Sequence, residues 1–324
     1  MSGEPVQRRV IAVLTSGRQD WGILRSTCAA IRREPGLVLS LAAGGMHLSA
    51  AHGHTVDGLV ADGFEPDARL PWLPADAGAP TPSAEDQAAG ALAATGAWLL
   101  ATRPAALVLV GDRLETAAAA LAATLAGGPI VHLHGGEQTF GAFDDALRHA
   151  ITKLAHLHLV STDEHARRVI AMGEDPAAVH VVGAPGLDNL HRPDLPGRDE
   201  LEARLGLALS SPVVVVTVHP ATLDEDPAAT ATAVAAAMRE VPATYVVTLP
   251  NTDPGGDRVA DTMRAAAEAT GGAAGDAGGV AARRPRDHVH EQGRGRAQGA
   301  VGRHPGRPQR DRGHVPRLLR DAAA

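Results

Sequence analysis

The densest group of side chains able to do chemistry lies in one short segment of the sequence. It combines carboxylates, an arginine and histidines: His132, His134, Glu137, Asp144, Asp145, Arg148, His149, His156 and His158. Carboxylates beside cations shift one another's pKa values, which general acid–base catalysis requires. Two glycines ahead of Glu137 let the backbone approach a ligand closely. The segment therefore indicates a site of proton transfer.

Helical spacing brings four of these side chains together. Asp144 and Asp145 open a predicted helix, and Arg148 and His149 follow one turn later, where they can face the same ligand. Carboxylates are favoured near a helix amino terminus, so capping is an alternative role for one aspartate. Capping does not explain all four side chains.

Two further pairs follow predicted strands in the first half. Asp112 and Arg113 come directly after an apolar run, where open α/β sheets carry active-site groups. The alternative is that Asp112 caps the next helix. Gly17 and Arg18 follow the first strand, and a helix amino terminus with a guanidinium can hold a phosphate. A structural turn with a solvated arginine is the more common explanation of that pattern.

In the second half, candidate residues again follow strands. His219 comes after VVVVTV, while Asn251 and Asp253 come after TYVVTL, so all three are expected at the cleft between two domains. Asn251 and Asp253 are suited to hydrogen-bond a base or a ribose. A tight turn is the alternative account of PNTDPGG.

A metal site is the competing hypothesis for the histidines. His132 and His134 alternate on a predicted strand and would point to one side. The others, His149, His156 and His158, fall in a helix-to-strand region where packed or surface histidines are more common than ligands. No HExxH motif is present. We predict no metal and no other cofactor.

The elements that position these residues alternate along the chain. RVIAVL, LVLSLAAGG, PAALVLVGD and PIVHLHGGE are apolar runs typical of parallel strands buried on both faces, and helical patterns separate them. Such repetition predicts βαβ units and a parallel sheet. Residues 71–87, rich in Pro, Ala and Gly, are expected to form a surface loop before a helix that starts at Ala88.

Prolines and charges near residue 193 indicate a crossing between domains. We predict an α/β fold with two Rossmann-like domains. An N-terminal domain over residues 1–192 carries the catalytic carboxylates, and an incomplete nucleotide-binding domain covers residues 193–270. Beyond about Thr270 large apolar side chains become rare, and no further strand or core helix is predicted.

The segment 271–324 is rich in Arg, Gly and Pro, with eleven arginines between Arg283 and Arg320. It is predicted to be disordered. Three hypotheses account for it: a solvated basic tail, a tail that meets an anionic partner, and out-of-frame translation of a high-GC gene. We favour the third, because a doubly wound second domain needs more strands than residues 193–270 supply. Resequencing the codons for residues 271–286 tests it.

Composition limits the function classes. The net charge of −7 and an aromatic content of 2% argue against a nucleic-acid partner, which needs clustered cations and stacking side chains. The amino-terminal apolar run is shorter than a signal-peptide core, and no stretch is long enough to cross a bilayer. A lone Cys28 excludes an intramolecular disulfide. We therefore expect a cytoplasmic protein without a membrane partner.

Taken together, several motifs resemble the hydrolysing UDP-N-acetylglucosamine 2-epimerases. They are GRQDWG, GGMHLS, GDRLE, the block from HLHGGE to LHLVST, VGAPGLDNL, VHPAT and LPNTDPGGD, and they extend from about Val10 to about Glu268. The resemblance implies the GT-B arrangement, with a UDP-sugar between two Rossmann-like domains. It also implies conversion of UDP-GlcNAc and water to N-acetylmannosamine and UDP by elimination and hydration, for sialic acid-type biosynthesis, in a homodimer or homotetramer.

By the same resemblance, roles pass to individual residues. The implied catalytic residues are Asp112, Glu137, Asp144, Asp145 and His219. His219 corresponds to a position that contacts the UDP phosphates. The implied substrate-binding residues are Arg18, Arg113, Arg148, His149, Asn251 and Asp253. The family's GNSSSG turn, which grips the diphosphate, is missing from this sequence. That departure predicts very weak UDP binding and an inactive chain.

Three alternatives stay open at this point. The first is a hydrolysing epimerase of a UDP-2,4-diacetamido-2,4,6-trideoxyhexose, and the second is a non-hydrolysing 2-epimerase that keeps UDP. The third is a UDP-sugar-binding relic without turnover.

Overall fold

The chain folds around a doubly wound parallel sheet. The computed structural model describes residues 8–140, 142–221, 225–250 and 253–276, with the backbone of 279–280 and Leu318. The first sheet has seven strands: β1 (Arg9–Thr15), β2 (Leu37–Gly44), β3 (Ala68–Leu70), β4 (Ala106–Val110), β5 (Ile130–Leu133), β6 (Leu157–Val160) and β7 (Val179–Val181). Their order is β3-β2-β1-β4-β5-β6-β7, and all described pairings in this sheet are parallel.

Helices cover both faces of this sheet. They are α1 (Arg18–Arg33), α2 (Val56–Ala61), α3 (Ala84–Thr102), α4 (Leu114–Leu125), α5 (Asp144–Leu154) and α6 (Asp163–Ala171). Successive side chains of a strand point to opposite faces. Accordingly Ile11 of β1 shares a core with Leu24 of α1, whereas the next residue, Ala12, shares the other core with Trp98 of α3. This explains why the predicted strands are continuously apolar.

A second, smaller sheet follows α7 (Arg198–Leu205). It contains β8 (Val213–Thr217), β9 (Thr244–Thr248), β10 (Ala273–Asp276) and β11 (Gly279–Val280), in the order β11-β10-β9-β8. The helices α8 (Ala229–Glu240) and α9 (Gly256–Ala269) pack on one face. On the other face Val213 and Val215 are exposed.

The expectation that no strand follows Thr270 is wrong. Strand β10 pairs in parallel with β9 through Ala273, Ala274 and Gly275. Backbone hydrogen bonds hold this strand, and its small side chains leave no apolar pattern in the sequence to announce it. Apart from residues 271–276, the backbone of β11 and Leu318, which packs against the first core, segment 271–324 lies outside the described residues.

The surface loop predicted for residues 71–87 is also corrected. Trp72 and Leu73 are buried, and the Trp72 ring occupies the space that a side chain at Gly44 would fill. Helix α3 begins at Ala84, earlier than expected, because the Ser83 side chain accepts a hydrogen bond from the amide of Asp86 and caps it. Among the described residues, none of the helices has the length and apolar character of a membrane span.

Candidate active site

Polar residues meet at the carboxyl edge of the first sheet. Ser16 follows β1, Asp112 lies just beyond β4, Glu137 lies in the turn after β5, and Ser161 follows β6. Parallel strands end at one edge, so residues far apart in sequence come together there. Asp112 and Glu137 thus lie beyond strand ends, as their sequence positions predict.

Arg148 is the centre of the cluster. Its guanidinium donates to the carboxylate of Asp112 and, through Nη1, to Glu137 Oε2 at 3.4 Å. Nη1 also donates to the backbone oxygen of His134 at 3.0 Å, and Nη2 donates to Thr139 Oγ1 at 3.0 Å. One cation thus joins carboxylates from two different strand ends.

Asp112 does not cap the following helix. Arg113 occupies the N-cap position of α4, and the Asp112 carboxylate contacts Arg148 and the hydroxyl of Thr139 instead. Burial raises the pKa of Asp112, and the charge of Arg148 opposes that rise. The capping alternative is therefore wrong for this residue.

Glu137 is held as an anion. Its Oε1 accepts hydrogen bonds from His134 Nδ1 and Ser161 Oγ, both at 2.7 Å. His165 Nδ1 lies 2.8 Å from the Ser161 hydroxyl. Burial alone would raise the pKa of Glu137, but the bonds from His134 and Ser161 outweigh it and lower this pKa to about 2. The sequence did not single out Ser161 or His165. Ser161 directly follows strand β6, and this position at a strand end is the signal that could have identified it.

Asp144 has the opposite character. It is the first residue of α5 and is half-buried. Burial raises its pKa to about 6, and the neighbouring negative charges of Asp253 and Asp112 add to the rise. A carboxyl group with such a pKa exchanges protons near neutral pH. Glu137 and Asp144 are therefore suited to different tasks within one site.

Asp145 and His149 form the outer part of the cluster. Asp145 Oδ1 accepts from the amide of Thr139 at 2.9 Å, so this carboxylate secures the loop that precedes the helix. Its Oδ2 lies 3.7 Å from His149 Nε2, which is longer than a hydrogen bond. Asp145, His149 and Arg148 all lie on α5, as predicted. The Arg148 guanidinium, however, contacts Asp112 and Glu137.

The described histidines do not form a metal site. His132 is fully buried, and its ring nitrogens contact the Gly111 carbonyl at 2.7 Å and Thr152 Oγ1 at 3.2 Å. His134 lies beyond the end of β5 with a φ of 63°, so it does not alternate with His132 on a strand. Within the described part of the chain, no three His, Cys, Asp or Glu side chains are placed to hold a metal ion.

Among the described residues, contacts of Arg113 and Arg18 join this site to the second half of the chain. Arg113 Nη1 lies 3.9 Å from Asp253 Oδ1, and Arg18 Nη2 donates to the backbone oxygen of Leu249 at 2.9 Å. His219 lies two residues beyond β8, and its side chain is exposed. Asn251, the remaining predicted site residue, lies outside the described residues.

Behind Arg113 lie acidic residues that the sequence did not reveal. Arg113 is buried, and its Nε donates to Glu115 Oε1 at 2.7 Å. Asp20, in the first turn of α1, is also buried. Both acids resemble ordinary first-turn helix carboxylates, so their sequence pattern carries no signal of a role at the site.

Several buried nitrogens at the site have no hydrogen-bond partner among the described residues. They are His134 Nε2, Arg148 Nε and His149 Nδ1. Buried polar groups are normally paired, so these nitrogens are available to a polar ligand or to water.

The sequence matches the UDP-N-acetylglucosamine 2-epimerase family over residues 29–272. The chain belongs to this family. The chain is similar to polysialic acid biosynthesis protein P7 of Escherichia coli, with 34% identity over 66% of this chain and 54% of that protein. It is also similar to the hydrolysing UDP-N,N'-diacetylbacillosamine 2-epimerase of Legionella pneumophila, with 35% identity over 67% of this chain and 57% of that enzyme.

The fold agrees with that of solved 2-epimerases. The Neisseria meningitidis UDP-GlcNAc 2-epimerase, whose structure contains UDP-GlcNAc, superposes with a TM-score of 0.61 at 15% identity, covering 81% of this chain and 70% of that one. The predicted GT-B class is thereby confirmed. The chain nevertheless spans only slightly more than half the length of the two sequence relatives.

Proposed function

We propose that this epimerase-family chain is a hydrolysing UDP-GlcNAc 2-epimerase that yields N-acetylmannosamine and UDP. The observation that carries the proposal is the convergence of Asp112 and Glu137 on Arg148, with Asp144 at the start of the same helix. Carboxylates of contrasting pKa next to a cation are what a proton-transfer reaction at a sugar carbon requires.

The reaction divides into two balanced steps. In elimination, a base removes the proton from C2 while the bond from C1 to the diphosphate oxygen breaks, which leaves a C1–C2 double bond and UDP. In hydration, water supplies hydroxide to C1, and an acid supplies a proton to C2 on the other face. Each turnover consumes one water and inverts C2. No electrons are exchanged with a redox group.

We assign the base to Asp144. With a pKa raised to about 6, Asp144 is mostly ionised at neutral pH and still basic enough to accept a proton. Glu137, with its pKa lowered to about 2, stays charged and orients the substrate or Arg148. Asp112, whose pKa is also raised, is the candidate acid for C2.

The leaving diphosphate needs positive charge on the opposite side of the sugar. Arg113 and Arg18 extend from the first half to the second, where they contact Asp253 and the Leu249 carbonyl. A diphosphate carries more negative charge and more acceptor oxygens than the Asp253 carboxylate, so it can compete with that carboxylate for Arg113. We propose that these arginines, with His219 and Asn251, bind UDP.

The test is incubation with UDP-GlcNAc, followed by NMR of the products and a coupled assay of UDP release. Formation of N-acetylmannosamine and UDP supports the proposal and overturns the prediction, made from the missing GNSSSG turn, that the chain is inactive. Asp144→Asn should lower turnover by about 100-fold or more, as general-base loss typically does. Asp163→Asn is the matched control, because Asp163 is likewise the first residue of a helix but is exposed on α6. Equal turnover of the two variants contradicts the assignment.

A second candidate substrate is a UDP-2,4-diacetamido-2,4,6-trideoxyhexose. The similarity to the Legionella enzyme named for UDP-N,N'-diacetylbacillosamine favours it. Measuring kcat/KM for both UDP-sugars under identical conditions decides between them. Retention of the nucleotide on the epimerised product would indicate a non-hydrolysing enzyme instead.

A UDP-binding protein without turnover is the third candidate. It is favoured by the missing GNSSSG turn, since each lost charge-assisted hydrogen bond to a diphosphate costs about 1.5 to 3 kcal/mol. Calorimetric titration with UDP, without detectable product from either sugar, would support it. We also propose a first domain over residues 1–192, a second domain that begins at residue 193 and that β10 extends beyond residue 270, and a homo-oligomer. Limited proteolysis and light scattering test these proposals.

A further inference from the structure

A pair of buried carboxyl groups lies behind Arg113, apart from the carboxylates of the proposed proton transfers. Asp20 belongs to the first turn of α1 and Glu115 to the first turn of α4, and each is 5% exposed. The hydroxyl of Ser16 lies between them. Its Oγ is 2.6 Å from Asp20 Oδ2 and 2.7 Å from Glu115 Oε1.

The number of hydrogens limits how these contacts are made. Both distances lie within the range of about 2.5 to 2.7 Å that is usual for hydroxyl–carboxylate hydrogen bonds, so each requires a hydrogen between the two oxygens. The Ser16 hydroxyl carries one hydrogen, which can lie on only one of the two oxygen–oxygen axes. The other contact then places two oxygens without a hydrogen between them, unless one carboxyl group is protonated. The geometry therefore requires an additional proton.

The surroundings decide which carboxyl group carries it. Glu115 Oε1 also accepts from Arg113 Nε at 2.7 Å, a contact that favours the charged form. Asp20 Oδ2 accepts only uncharged donors among the described residues, including the amide of Ser16 at 2.8 Å. Burial raises the pKa of Asp20 to about 6. The proton belongs on Asp20.

We propose that Ser16, Asp20 and Glu115 are positioning residues that hold Arg113 at the cleft. Asp20 acts as a neutral acid that donates to Ser16, Ser16 donates to Glu115, and ionised Glu115 fixes the guanidinium. The effect on ligand binding rests on the proposed function, in which Arg113 binds the diphosphate. The hydrogen-bonded order itself does not.

The network also joins two turns that carry cations for the ligand. Ser16 immediately precedes Gly17 and Arg18, whereas Glu115 lies two residues after Arg113. A single hydroxyl therefore ties the turn after β1 to the turn after β4. The charged groups that act on Asp20 are Arg113, which favours its ionisation, and Glu115, which opposes it. When Asp20 ionises, two anions compete for one hydrogen and the tie weakens.

The first test is independent of function. A group with a raised folded-state pKa stabilises the protein at low pH and loses that effect as pH rises through the folded-state value. For Asp20, with 3.8 as its ordinary pKa and about 6 in the fold, this window is about pH 4 to 6. The unfolding constant of the wild type, relative to Asp20→Asn, should increase about 100-fold across it.

Asn is a suitable replacement because it does not titrate and its amide nitrogen can donate to the Ser16 hydroxyl. Both Ser16 contacts are made by Asp20 Oδ2, so the Ser16 amide loses its acceptor in this variant, a loss that is the same at every pH. Ser26→Ala is the control, since Ser26 lies on α1 and bonds the Pro185 carbonyl without touching the network. Ser26→Ala should retain the wild-type dependence of the unfolding constant on pH. The infrared spectrum of the wild type near pH 5, minus that of Asp20→Asn, should show a residual protonated-carboxyl band. Asp144 and Asp112, whose pKa values are also raised, contribute to both proteins and cancel in the difference. Equal slopes, or a difference spectrum without a carboxyl band, would overturn the proposal.

The second test measures the effect on Arg113. Calorimetric UDP titration should give equal Kd values for the wild type and Asp20→Asn near pH 5. Near pH 7 the wild type should bind UDP about tenfold more weakly than Asp20→Asn does, because only about one wild-type molecule in ten still has a protonated Asp20. Glu115→Gln should weaken binding at both pH values. A constant ratio of wild-type to Asp20→Asn Kd contradicts the positioning role. If the wild type binds no UDP, the proposed function fails, while the stability and infrared tests still decide the network.

Discussion

Arg148 offers the most direct test of how the candidate site is held together. Replacing it with Met keeps a long unbranched side chain but removes the charge and the bonds to Asp112, Glu137, Thr139 and the His134 carbonyl. The two carboxylates then remain close together without a cation. Their mutual repulsion and incomplete hydration both destabilise the fold.

The magnitude follows from burial. Removing one partner of a fully buried ion pair costs about 3 to 5 kcal/mol. The Asp112 and Glu137 side chains are 19% and 29% exposed, so water screens part of the lost attraction. We expect Arg148→Met to lower the free energy of unfolding by about 2 to 3 kcal/mol, which is just below the range for a fully buried pair because of this screening.

Urea titration near neutral pH measures this loss, with Asp112→Asn and the double variant completing a mutant cycle. The double variant should be more stable than the sum of the single losses predicts, because a neutral amide at position 112 no longer needs the cation. A coupling energy of about 1 to 2 kcal/mol is expected. Arg204→Met is the control: its pair with Glu200 is exposed, and its loss should stay within about 0.5 kcal/mol. A loss for Arg148→Met as small as the control's, or strict additivity, would refute this account.

Three further predictions address pH and backbone geometry. Turnover should fall as pH drops below about 6, because Asp144 must be ionised to act as a base; a kcat profile that is flat across that range contradicts the assignment. Burial lowers the pKa of His47 from 6.5 to about 4, so the stability from its neutral form is present above pH 6.5 and is lost as pH falls towards 4. Urea titrations should therefore show that the free energy of unfolding falls by about 3 kcal/mol less in His47→Gln than in the wild type as pH is lowered from 6.5 to 4. An equal fall in the two proteins would count against this explanation. Gly136 has a φ of 76°, and a Cβ there would meet the His165 carbonyl oxygen at 2.5 Å. Gly136→Ala should thus lower the melting temperature and the turnover of the neighbouring Glu137 site more than Gly111→Ala, whose φ is similar but whose surroundings are open; equal losses would mean that only the backbone angle matters.

Much of the fold could be predicted from local patterns. The strands at residues 9–14 and 105–110 were visible because side chains buried on both faces leave a continuous apolar run. Strand β10 was missed because its Ala and Gly residues bury little surface and are held by pairing with β9. Trp72 was placed on the surface because its surroundings are rich in proline and alanine, while its burial depends on distant glycines.

The site residues show the same division. Asp112, Glu137 and Arg148 were identified from residue types, strand ends and a family resemblance, all of which belong to the sequence itself. Their mutual contacts were not, because Arg148 reaches Asp112 across 36 positions of chain. Nor could the sequence separate Glu137 from Asp144, since their opposite pKa shifts arise from burial and neighbours.

By itself, the sequence determined the order of strands and helices, the family and the identity of the chemical groups, because these depend on local side-chain patterns. Only the tertiary structure decided which groups share a hydrogen bond or a cation. The contacts of Ser16 with Asp20 and Glu115 illustrate the reason: the first spans 4 positions and the second 99. Such proximity is produced when parallel strands end at one edge of a sheet, and burial then sets the pKa values.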